Sequence, residues 1–153
     1  MIYEFKNLTE EESNLMLMTP ALVTLLIAGA EGNIDSKETD WGTKITHFRA
    51  NEHSVVQNYY LEVDRNFNDT LSKLIEVMPK DVKERSDKIQ QELEKLNKIL
   101  PKLNPEFSDL FYKSLLSLSK HVAKASGGIW GFGSISPEEK KYLDLHIIDP
   151  PGK

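Results

Sequence analysis

"VTLLIAGAEGNIDSKETDW", residues Val23 to Trp41, decides the class of fold. Its first third is apolar on nearly every side, as a helix in the middle of a domain would be. Gly32 then breaks the run, where a chain commonly needs a left-handed residue that side chains resist. Ile34 can pack back toward the turn. Asp35 has the side chain to cap a following helix, and Glu38, three places on, completes a capping box. The stretch therefore predicts a helix, a tight loop and a second helix.

The same period continues to both sides. Thr9 with Glu12 forms another capping box, opening a helix expected to end near Met18. Thr19-Pro20 then reads as a fresh cap with proline at the first helical position, starting a helix from Pro20 to Glu31. Within it, Gly29 reads as a mid-helix glycine that alanine could replace. The helix opened by Asp35 carries Trp41, Ile45 and Phe48 at spacings of four and three, an apolar stripe expected to face the core. After a break at 50–53, a long helix runs to Met78, with a kink expected around 66–69, and Pro79 stops it.

Asp81 and Glu84 open a further helix, striped by Ile89, Leu93, Leu96 and Leu100 and ended by Pro101. Asn104-Pro105 begins the next, with Phe107, Phe111, Leu115, Leu118 and Val122 on one face. A last helix is expected from Ser136-Pro137 to about Ile147, with 149–153 as a frayed tail. No stretch alternates long enough to make a strand. The expectation is an all-α, single-domain bundle over 1–153 with about seven helices.

The opening stretch has an interrupted copy. Residues 118–127 read "LSKHVAKASG", 128–133 read "GIWGFG" and 134–142 read "SISPEEKKY". With the middle six removed, the copy aligns with Val23 to Trp41 without a gap. Ile27 falls on Val122, Gly32 on Gly127, Ile34 on Ile135, Asp35 on Ser136, Glu38 on Glu139 and Trp41 on Tyr142. Two repeated helix-loop-helix hairpins are predicted, and every residue in the pattern has a structural use without any ligand.

This twice-used Gly-x-Ile-x-x-x-Glu pattern resembles the tellurite-resistance TerB-like family, where Ala-Asp-Gly-x-Ile-x-x-x-Glu recurs near both ends of an all-helical domain. The chain departs from that form: Glu31 and Ser126 stand where the family has Asp, and the second loop carries the insert. The resemblance implies a helical architecture, an association with stress response and, in some members, acidic metal sites. It implies no substrate or reaction.

Glu31, Gly32, Ile34 and Glu38 fit the second half of a calcium loop, but the first and third positions would be Ile27 and Gly29, which offer no side-chain oxygen. A looser, weak divalent-cation site from Glu31, Asp35 and Glu38 is the remaining metal reading, and no other cofactor is expected. No HExxH, nucleophile elbow, P-loop or dinucleotide fingerprint is present. A hydrolase built on carboxylates without a local motif stays open as a third reading.

A net charge of −5 argues against a nucleic-acid backbone as partner. The absence of cysteine removes disulfides and thiolate sites and suits a reducing compartment. With no signal-like start and no apolar run of spanning length, the expectation is a cytoplasmic protein without a transmembrane segment. The insert has two readings. Trp130 and Phe132 either turn inward as a core plug, which is favoured because large apolar patches are uncommon on monomers, or they anchor a partner protein. The function expected from the whole is a non-catalytic, stress-related interaction module whose partner the sequence leaves unnamed.

Overall fold

Thr9 starts the first long helix as predicted. Its hydroxyl accepts from the Glu12 backbone N–H, and the Glu12 carboxylate accepts from the Thr9 N–H. In this computed structural model, which describes residues 2–30, 32–34, 36–125 and 137–152, helix α1 then runs from Glu10–Ala28 without a break. The separate helices expected on either side of Thr19-Pro20 are one. Proline has no N–H for the carbonyl four residues back, here that of Met16. The buried Tyr59 hydroxyl donates to that Met16 carbonyl instead. Thr19 and Thr24 donate their hydroxyls to the carbonyls of Leu15 and Pro20. The interior proline therefore leaves its lost acceptor satisfied, and burial pushes the Tyr59 phenol well above its usual range.

The order that follows is α2 (Ser36–Ala50), α3 (Gln57–Val77), α4 (Val82–Glu94), α5 (Leu96–Ile99), α6 (Pro105–Ala125) and α7 (Pro137–Lys140), with short 3₁₀ turns at Tyr3–Phe5 and Leu100–Lys102. No strand occurs among the described residues. The chain is all-α, as its patterning requires, and no described helix is long and apolar enough to cross a membrane. α1 lies at the centre and packs against α2, α3, α4 and α6. That position matches its composition, because from Thr19 to Ala28 every residue is buried. Around it, Phe5, Tyr59, Tyr60, Phe107 and Phe111 meet mostly edge to face, the favoured geometry for aromatic quadrupoles.

α3 runs unbroken through 66–69 and buries Tyr59, Tyr60, Val63, Phe67, Leu71 and Leu74. Asp81 caps α4, its carboxylate accepting from the Glu84 N–H at 3.0 Å. The helix expected to continue to Leu100 instead breaks at Lys95 into α4 and α5.

α2 departs furthest from its predicted packing. The stripe expected to face the core does not: Trp41 is 41% and Phe48 65% exposed, and only Ile45 packs partly against the interior. The buried residues are Glu38, Gly42, Thr46 and Ala50, one every four positions. The reason lies at Gly42. A Cβ there would stand 2.6 Å from Thr24 Cγ2, so α2 lies against α1 too closely for any side chain. Small residues let the two helices approach, and that approach turns the aromatic stripe outward.

The last predicted helix is also cut short. α7 is a single turn, and a series of three-residue turns follows, closed by Tyr142 N–H to Glu139 O, Leu145 N–H to Tyr142 O and Ile148 N–H to Leu145 O. Leu145 takes a positive φ of 46° while burying its side chain, and Ile148 is buried beside it. Asn97 holds the segment from both directions, donating to Ile147 O at 2.9 Å and accepting from the Asp149 N–H at 2.8 Å. The expected tail is thus anchored at its first residue.

Candidate functional site

Two places merit a functional reading: the loop between α1 and α2, and the outward face of α2 beside α6.

The loop carries the glycines and acids of the repeated pattern. Gly32 has the expected positive φ, at +113°. α1 ends at Ala28, three residues before the predicted Glu31, and Gly29 is its cap rather than a residue inside it. Ile34 packs partly against the core, as predicted. Glu38 is 3% exposed and Glu139, its counterpart in the second hairpin, 1% exposed, so both glutamates of the repeat are turned inward. Glu31 and Asp35 lie outside the described residues, as do Gly127, Trp130, Phe132, Ile135 and Ser136. The cation site proposed from Glu31, Asp35 and Glu38 therefore has only Glu38 in view. Among the described residues, no three His, Asp or Glu side chains gather as a metal ion would need.

What the structure adds to this loop is Arg85. Its guanidinium reaches across from α4 and donates to Gly29 O at 2.8 Å, Gly32 O at 3.3 Å and Lys80 O at 3.2 Å. Arg85 is 4% exposed, and it closes the C-terminal end of α1, where the helix dipole favours positive charge. Two of the carbonyl oxygens that a loop-bound cation could use are already engaged by a fixed cation. Sequence reading missed this residue. The signal was there: Arg85 stands four positions before Ile89 and eight before Leu93, a charge in line with the apolar stripe of its own helix.

On the other side of the hairpin, Trp41, Ile45 and Phe48 line one edge of a groove against α6. One cavity of about 380 Å³ lies among Ile45, Phe48, Arg49, Val56, Leu110 and Ser114. A second, about 260 Å³, lies among Trp41, His121, Lys124 and Ala125, and His121 lines both. Arg49 fixes the floor, donating to Ser114 O at 2.7 Å and to the Tyr60 hydroxyl at 3.0 Å, which joins α2, α3 and α6. His121 Nδ1–H donates to Ser117 O at 2.8 Å, one turn back along α6. The groove is thus a built surface: its floor is hydrogen-bonded while its apolar rim stands in solvent.

A wider opening of about 680 Å³ lies between the start of α1 and α4–α5, over Leu15, Met18 and Ile99. Three of its charged residues are held in ion pairs. Lys95 holds Glu92 at 2.9 Å, and Glu12 holds Lys102 at 2.7 Å, which keeps the Glu12 carboxyl below its usual range. Comparison with protein-family models, with curated proteins and with solved structures found no match to this chain.

Proposed function

We propose that this chain is a non-catalytic, TerB-like helical module that binds another protein through the α2–α6 face, in a stress-related setting. The observation that carries the proposal is the exposure of Trp41 and Phe48 on a helix whose inward side is complete without them. Glu38, Gly42, Thr46 and Ala50 supply the whole buried face of α2, so packing gives no reason for two large aromatics at 41 and 48. Aromatic side chains offer much contact area for little conformational entropy, which is why they are enriched at interface hot spots. The burial of both repeat glutamates and the positive φ of Gly32 support the TerB-like reading of the two hairpins.

The test is site-specific photocrosslinking in the source cell. A photoreactive phenylalanine analogue at position 48 is expected to yield a discrete adduct. The same group at Tyr3, which is 73% exposed on another surface, should yield none. Equal labelling at both positions would end the proposal. The cation reading of Glu31, Asp35 and Glu38 ranks second, because the Arg85 guanidinium on the neighbouring carbonyls opposes it. A calcium titration read by tryptophan fluorescence, compared with Glu38→Gln, checks it. Saturation near the micromolar range that Glu38→Gln abolishes would put it first.

A further inference from the structure

We infer that the partner segment seated in the α2–α6 groove is an acidic amphipathic helix. The inference rests on the interaction reading above and goes further, to the chemistry of the occupant.

Shape argues for a helix. From Leu110 to Ala125 the α6 wall is about 22 Å long at helical rise, the length of about four turns of a partner helix. The opposing wall presents Trp41, Ile45 and Phe48 at spacings of four and three. Knobs at that spacing interlock with a helix whose apolar residues recur at i, i+3, i+4 and i+7. Charge argues for acid. Arg49, Lys113 and Lys124 line the groove, and Lys44 sits over the Trp41 ring at 5.2 Å. Among the described lining residues of these two cavities, Glu52 is the acidic one. The chain as a whole carries −5, whereas Arg49, Lys113 and Lys124 against Glu52 leave the described lining of these cavities positive, and still so with Asp109 counted. Lys113 is held by Asp109 at 2.9 Å in an exposed pair, which costs little to exchange for a partner carboxylate. A nucleic-acid strand is the poorer match, since a few lysines release few counterions.

The experiment uses fluorescein-labelled synthetic helices of about four turns. One carries leucine on a single face and glutamate elsewhere; the other has lysine in place of every glutamate. Anisotropy titration of the full chain should give a Kd of about 10 µM for the glutamate peptide and at least about tenfold weaker binding of the lysine peptide. Phe48→Asp should weaken the glutamate peptide about tenfold, and Lys113→Glu with Lys124→Glu should do the same while improving the lysine peptide. Circular dichroism of each variant must match the parent. Tyr3→Ala provides a second check, since its affinity should equal that of the parent.

If both peptides bind alike and Phe48→Asp weakens both, the acidic inference is overturned and the interaction reading stands. If Phe48→Asp changes neither, both fail. No binding of the glutamate peptide at about 1 mM overturns the inference. So does tighter binding of an oligo-dT strand, or a concentration-dependent dimer in sedimentation velocity that Phe48→Asp abolishes, which would make a second copy the occupant.

Discussion

α1 and α2 are joined by one short loop and pack against each other, yet they are opposites. α1 places its large side chains inward on all sides: Leu22, Val23, Leu25 and Ile27 have no exposed surface. α2 turns its small residues inward and two of its largest outward. Hydrophobicity alone predicts the first helix and fails on the second. In α2 the contact is decided by how closely the backbones approach, and Gly42 against Thr24 sets that distance. An apolar side chain left over from such a contact becomes available for something else.

The contrast breaks most readily at Gly42. Gly42→Val forces a side chain into space that Thr24 occupies, and it should cost about 3 kcal/mol in chemical denaturation. In a Thr24→Ala background, Gly42→Ala should be far better tolerated than in the parent, because the two atoms nearest the new Cβ are gone. Additive effects of these two substitutions would mean that close approach is not what orients α2.

The loop joining the two helices comes next. Arg85→Ala removes the donor shared by Gly29 O and Gly32 O, and should cost about 2 kcal/mol. The expectation that alanine suits position 29 is corrected by the same contact, since a Cβ on Gly29 would stand 2.7 Å from Arg85 Nη2. Gly29→Ala should therefore be harmful in the parent and less so in Arg85→Ala, where Leu25 O at 3.0 Å still crowds the new Cβ. A double-mutant cycle by thermal melting reads the coupling.

The proline inside α1 gives a third test. Tyr59→Phe leaves the buried Met16 carbonyl without its donor and should cost about 1.5 kcal/mol. Adding Pro20→Ala supplies a backbone N–H at the position that faces Met16 O, so the double variant should recover part of that loss. If Pro20→Ala gives no recovery, the Tyr59 hydrogen bond is not a substitute for the missing ladder bond.

The smallest effect is the one that matters for function. Trp41→Ala and Phe48→Ala should each change stability by less than about 0.5 kcal/mol, as surface substitutions do. Leu22→Ala in α1 should cost about 3 kcal/mol by the same assay. A large loss at Phe48 would place the stripe in the fold rather than at an interface, and the proposed function would lose its support.

Much of this architecture is written in local chemistry. Thr9 with Glu12, Asp81 with Glu84 and Asn104 before Phe107 marked helix starts correctly, because a cap is made by residues three apart. Gly32 announced its own φ for the same reason. The all-α class and the stripes of α3 and α6 follow from period alone. What the chain could not show by itself is what each face meets. Pro20 reads as a helix start until a tyrosine from another helix satisfies Met16 O. Arg85 carries no local signal of the three carbonyls that surround it, and Phe48 reads as core until Gly42 brings α2 against α1. Caps and periods are short-range and survive in isolation. Orientation, buried hydrogen bonds and the exposed groove depend on residues far apart in sequence, and only tertiary packing brings those together.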